Sequence, residues 1–183
     1  MYIYSKTNNI MKNLLLLSCA LIFTLIACKS SAGNKNEIKT IFSPKSQSNV
    51  AGTANFIEKN GTVTMVANLS GLTPGEHAIH IHEKSDCSAT DGSSAGGHWN
   101  PTFKKHGKWG SAEHHKGDIG NFTADLNGNA TIKFSTSEWC IGCQDPTKDI
   151  LGKGLIVHKG TDDFTSQPAG NAGARVACSA IIK

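Results

Sequence analysis

The chain lacks most of what marks a helical, a nucleic-acid-binding or a membrane-spanning protein. Helical periodicity is scarce along its 183 residues, which argues against a helical body. Charge is close to balanced. From Cys28 onward 16 basic residues meet 14 acidic ones, too weak an imbalance to imply nucleic acid as a partner. The one strongly apolar run, Leu14 to Ile26, is shorter than the roughly 20 residues a spanning helix needs. No internal repeat and no second domain are evident, so the length fits one domain behind an N-terminal extension. Arginine is almost missing, with Arg175 the only one.

What is present begins with that apolar run. Lys12 precedes it and Ala27-Cys28-Lys29 ends it, the layout of a secretory signal over residues 1–27, with Met11 as an alternative start. Leu25-Ile26-Ala27-Cys28 resembles the lipobox of bacterial lipoproteins. That implies cleavage before Cys28, lipid on its sulfur and new amino terminus, and anchoring of an exported protein in the periplasm or cell envelope. An ordinary secretory signal with Cys28 incidental is the plainer alternative. Residues 28–39 then read as the lipidated cysteine and a polar tether, leaving 40–183 as the domain. Outside the cytoplasm disulfides persist, so Cys87, Cys140, Cys143 and Cys178 are disulfide candidates before they are reactive thiols.

The body reads as antiparallel β structure. Val50 to Ile57 and Thr62 to Asn68 flank Asn60-Gly61, a hairpin signal because both residues tolerate positive φ. Asn121 to Leu126 and Asn129 to Phe134 flank a second such turn at Asn127-Gly128, and Leu155 to His158 and Arg175 to Ile182 add two strand-like runs. Short strands with hairpin turns predict an all-β sandwich or barrel. Two stretches resist the pattern, Glu83 to Gly117 and Lys159 to Gly173. Structureless loops of that length are uncommon inside a compact domain unless they are functional.

All eight histidines fall between His77 and His158. In His77-Ala78-Ile79-His80-Ile81-His82, alternate strand side chains share a face, so His80 and His82 project together while Ile79 and Ile81 turn toward a core. Such a pair is a ready two-nitrogen clamp for a transition metal, although two exposed strand histidines are as good a reading of the tripeptide alone. His77 has the opposite parity. Further on come His98, His106 and His114-His115-Lys116-Gly117-Asp118. Three imidazoles and a carboxylate make a closed tetrahedral zinc site, yet imidazole suits copper as well, so residue types alone do not apportion the metals.

The motifs Gly-x-His-x-x-His-x-His-Glu (75–83), His98-Trp99-Asn100-Pro101 with His106, His115-Lys116-Gly117-Asp118, Gly154 to His158 and Gly170 to Cys178 together resemble the copper/zinc superoxide dismutase family in order and spacing. The resemblance spans roughly residues 40 to 183. It implies an immunoglobulin-like Greek-key β-sandwich or barrel with two long functional loops, and one copper and one zinc per chain. The substrate it implies is superoxide, converted to oxygen and hydrogen peroxide. By the same resemblance His80, His82, His98 and His158 are copper ligands, and His98, His106, His115 and Asp118 are zinc ligands, with His98 bridging both. His114 is a bystander. Asp162 matches a carboxylate that links the two sites through ligand histidines, and Cys87 and Cys178 match the family disulfide. His98 and Arg175 match the catalytic groups: a proton-carrying bridge, and a guanidinium that docks the anion. Lys84, Lys104, Lys105, Lys116, Lys153 and Lys159 are candidate steering charges, with solvated surface lysines the plainer reading.

Some features depart from the family. Lys159 to Gly173 lacks the Glu-Glu-x-x-Lys pattern of many eukaryotic members. Cys140-Ile141-Gly142-Cys143 lies in an unmatched insertion and reads as a second, local disulfide or as an auxiliary copper or zinc site; a thioredoxin-like pair would need a β-α context. A non-catalytic periplasmic copper/zinc carrier on the same fold is the main rival. It fits less well because every ligand position and the arginine are kept. A surface-interaction lipoprotein would leave the ligands unexplained. The oligomeric state, monomer or homodimer, stays open.

Overall fold

The computed structural model describes residues 36–183; the signal segment, Cys28 and the tether up to residue 35 lie outside them. Eight strands make up the domain: β1 (Asn36–Pro44), β2 (Ala51–Lys59), β3 (Thr62–Ser70), β4 (Gly75–His82), β5 (Gly120–Ala124), β6 (Ala130–Thr136), β7 (Lys153–His158) and β8 (Arg175–Ile181). Their order in the sheet is β5-β4-β7-β8-β1-β2-β3-β6, with antiparallel pairing throughout. The result is a nearly closed Greek-key barrel. Among the described residues a single 3-10 turn, Ser93–Ala95, is the helical element, and no helix is long and apolar enough to cross a membrane.

Alternation builds the core. Phe56 of β2 and Met65 of β3 are direct cross-strand partners, and both are wholly buried. Ile38, Phe42, Ile79, Ile81, Leu155, Val157 and Ile181 join them from other strands, each large side chain contributing about 1.5–3 kcal/mol by leaving water. The β2–β3 turn follows its sequence signal, with Asn60 and Gly61 at φ 52° and 72°.

Two expectations need adjusting. Residues 36–39, read as the end of the tether, already pair with Glu58 to Asn55 as the first half of β1, because Ile38 finds a place in the core. The turn at Asn127-Gly128 does not close a two-stranded hairpin. Its flanking strands β5 and β6 stand at opposite ends of the sheet order, so the turn crosses the barrel seam. Asp125 shapes it, its carboxylate accepting the N–H groups of Asn127 and Asn129, each at 2.8 Å.

The last six residues of β4 are buried on both faces, unlike a strand with one wet side. The inner face meets the core. The outer face lies beneath the two long connections, residues 83–119 and 159–174, which are the stretches that resisted strand patterning. The Cys87–Cys178 disulfide ties the first of them to β8. Cys140 and Cys143 are also joined, in a loop pinned to β1 and β2 by Asn36 Nδ2 donating to the Ile141 carbonyl and Ile141 N–H donating to Glu58.

Candidate metal centre

His80 and His82 stand on the outer face of β4, paired with Ile156 and Gly154 of β7. His158 ends β7 at a register shift, where Val157 faces Ala177 and His158 faces Arg175. Such an irregularity re-aims side chains at a strand end. Here it brings His158 and Arg175 together beside the β4 histidines. His98 enters from the first long loop through a bridge to His82, followed by His106, His115 and Asp118 from the same loop.

Two buried groups result. His80, His82, His98 and His158 form one; His98, His106, His115 and Asp118 form the other. Within each, one donor atom per residue lies within 4.8 Å of every other, and His98 belongs to both. The ring nitrogens divide cleanly. His82 and His158 use Nδ1 on the carbonyls of Gly96 (2.9 Å) and Gly173 (3.3 Å), so their Nε2 atoms face each other at 3.4 Å. His80 and His106 use Nε2 on the two oxygens of Asp162, at 2.8 and 2.9 Å. His98 Nδ1 meets Asp118 at 2.8 Å.

What remains decides whether metals fit. His80 Nδ1, His98 Nε2, His106 Nδ1 and His115 Nδ1 are buried without a hydrogen-bond partner. The last two lie 3.1 and 3.2 Å from Asp118. Buried imidazole nitrogens rarely go unpaired, and four of them converging on two points is the arrangement a pair of cations requires.

The electrostatics differ between the two groups. Burial lowers His158 to about 3, helped by repulsion from His80. Burial likewise takes His98 to about 4 against the opposing pull of Asp118, and His82 falls well below its ordinary value. These rings are neutral, as ligands must be. His106 is the exception. Burial pulls it down, but Asp118 and Asp162 outweigh that and raise it to about 9. Both carboxylates sit well below their ordinary range, because hydrogen bonds from the histidines overcome their burial.

A cleft of about 310 Å³ opens onto this centre, lined by His82, His98, His158 and Arg175 on one side and Gln167 to Ala169 on the other. The Arg175 guanidinium donates to the carbonyls of Gly92 and Gly96, each at 2.7 Å. It is the permanent cation among the lining residues. Of the expected steering lysines, Lys104 donates to the Ala112 carbonyl, Lys116 pairs with Glu138 and Lys153 lies over the Trp99 ring.

The sequence model described as copper/zinc superoxide dismutase matches residues 50–181. The chain belongs to this family. A copper/zinc superoxide dismutase from Aquifex aeolicus is 39% identical over 137 residues, covering 72% of this chain and 79% of that protein. One from Mesembryanthemum crystallinum is 38% identical over 152 residues, with 79% and 94% covered. Among solved structures, a double mutant of a SOD-like protein from Bacillus subtilis superposes with TM-score 0.71 at 29% identity, covering 79% of this chain and 97% of its own. The enzyme dismutes superoxide to oxygen and hydrogen peroxide and uses one copper and one zinc.

In this superoxide dismutase His98 is shared by both candidate groups, and Asp162 touches one histidine of each. His114 is half-buried, its Nδ1 on the Ser111 carbonyl and its ring against Trp109, apart from both groups. Several contributors were given no role from the sequence. His77 is buried, its Nδ1 3.0 Å from the His158 carbonyl and its Nε2 2.8 Å from the Thr73 carbonyl, bracing the end of β7. Asn121 grips both main-chain groups of Asp162, donating to its carbonyl and accepting its N–H. Lys45, also buried, donates to the Cys87 carbonyl.

Proposed function

We propose that His80 Nδ1 and the Nε2 atoms of His82, His98 and His158 hold the copper, and that His98 Nδ1, His106 Nδ1, His115 Nδ1 and Asp118 hold the zinc. The shared position of His98 carries this reading: one ring, buried, presents a nitrogen to each group. Bound copper supplies one-electron redox chemistry, through which one superoxide is oxidised to oxygen and another reduced to peroxide, while bound zinc supplies a fixed charge.

The chain's own residues do the rest. Arg175 keeps its charge although burial lowers its pKa, and its two carbonyl contacts fix the guanidinium while sparing donors for a small anion in the cleft. When not held by copper, His98 Nε2 would be the place for a proton destined for peroxide, its ring lining the cleft beside His82. Asp162 holds one ring of each metal group, so it sets the orientation of both.

We also place the enzyme outside the cytoplasm, anchored by lipid at Cys28. Support comes from the apolar run ending at that cysteine, from two disulfides in the domain, and from a 35% identical relative named as extracellular in Caenorhabditis elegans. Cys28→Ser should move the protein from the membrane to the soluble fraction; unchanged membrane association would refute the anchor.

The catalytic reading is tested on residues 29–183 loaded with both metals, beside His158→Ala. Superoxide decay should track copper occupancy and collapse in the variant. If the wild type takes one copper and one zinc yet leaves superoxide decay at the buffer rate, the domain is a metal carrier.

A further inference from the structure

We infer that Gln167 is a positioning residue for zinc, fastening the two long loops to each other at His106. The inference rests on the zinc assignment above. The His106 N–H donates to Gln167 Oε1 at 2.9 Å, and Gln167 Nε2 donates back to the His106 carbonyl at 2.9 Å. An N–H can only donate and a carbonyl only accept, so this pair of partners fixes the orientation of the side-chain amide. Gln167 Nε2 also reaches the Thr165 carbonyl at 3.2 Å within its own loop.

His106 is thereby held at three of its four polar groups by the 159–174 loop: N–H and carbonyl by Gln167, Nε2 by Asp162. The fourth, Nδ1, is the orphan aimed at Asp118 and the zinc position. A ring whose backbone and far nitrogen are both fixed pays little ordering entropy when it ligates. The amide is suited to this by chemistry. Alanine offers neither group, and glutamate offers an acceptor to the N–H but no donor to the carbonyl. Gln167 also lines the superoxide cleft together with Pro168, Ala169 and Asn171. The wall of the cleft and the backbone of a zinc ligand are therefore joined through one side chain, in the loop where the eukaryotic Glu-Glu-x-x-Lys pattern is missing.

The test is zinc release from the metal-loaded protein to a chromophoric chelator, for the wild type, Gln167→Ala, Gln167→Glu and Asn171→Ala. Asn171 bonds only within its loop, to Asp163 (3.3 Å) and Ser166 (2.9 Å), so its variant loosens the loop without touching His106. Gln167→Ala should release zinc about 10- to 100-fold faster, the range for losing a group that orients a ligand. Gln167→Glu should also be faster, and it decides the matter if the alanine variant does not fold. Asn171→Ala should stay within about twofold of the wild type. Cobalt placed in the zinc site should show altered visible absorption in the Gln167 variants only. Equal release by wild type and Gln167 variants overturns the inference, as does an Asn171→Ala rate matching Gln167→Ala. A wild type that takes up no zinc, or keeps all of it in His115→Ala, overturns the zinc assignment itself and the inference with it.

Discussion

Gly170 shows how little room the centre leaves. Its φ is 69°, and a Cβ there would lie 1.9 Å from Asp162 Oδ1 and 2.6 Å from His106 Nε2. Gly170→Ala must therefore displace the Asp162–His106 contact. The expected result is zinc affinity lower by about 10- to 100-fold with the barrel intact, read as zinc per chain after gel filtration. His106 supplies a second prediction. Raised to about 9, it is protonated at pH 7 in the metal-free protein, and a zinc ligand must be neutral. Zinc uptake at pH 7 should release about one proton from this ring, falling toward none above pH 9. Calorimetry in two buffers of different ionisation enthalpy counts the proton. Zinc uptake at pH 7 with no proton released would contradict the ion-pair picture. The residues of the two candidate metal groups were legible through His-x-His alternation, the clustering of histidines and the family resemblance, which are patterns along the chain. Gln167, Asn121 and His77 were not, since they bond main-chain atoms 61, 41 and 81 positions away. No local pattern encodes that.

Strands and loops divide the work. β4 carries core isoleucines and site histidines on opposite faces, and both faces were readable from its alternation. β2 and β3 were readable from the turn between them, and β7 and β8 from their apolar, β-branched runs. β1 was not among the strands read from the sequence, because Asn36 to Lys39 has the composition of a tether and its single core residue there, Ile38, gives no period. The seam turn was misread as a hairpin because Asn-Gly marks the turn but not the partner of each strand. The loop over β4 is held by Cys87–Cys178, and the same loop presents Gly92 and Gly96 to Arg175. Cys87→Ser should lower stability by about 2–5 kcal/mol, seen as a lower denaturant midpoint. It should also slow superoxide decay per bound copper, because the arginine loses its fixed carbonyls. A variant with unchanged rate per copper would show that β8 alone positions Arg175.

Taken as one body, the metal-free protein carries a pH signature. His158, His98 and His82 are depressed, so the unfolded chain binds more protons than the folded one below the ordinary value of 6.5. Their contribution is present above 6.5 and is lost as pH falls toward 4, at no more than about 1.4 kcal/mol per pH unit for each ring. His106 has the opposite sign: its contribution is present below 6.5 and is lost as pH rises through about 9. Urea midpoints of the metal-free protein should therefore peak near 6.5 and drop at both 4.5 and 9.5. A midpoint that is flat between 4.5 and 6.5 would mean the rings are not buried neutral before metal arrives.

β8 sits between β7 and β1 in the sheet, although it is the last strand of the chain. It also carries the sole arginine and Cys178. During synthesis from the N-terminus, every ligand has emerged before the wall that joins the two halves of the barrel exists. A chain cut short anywhere before Arg175 is missing that wall, the anion dock and the disulfide at once.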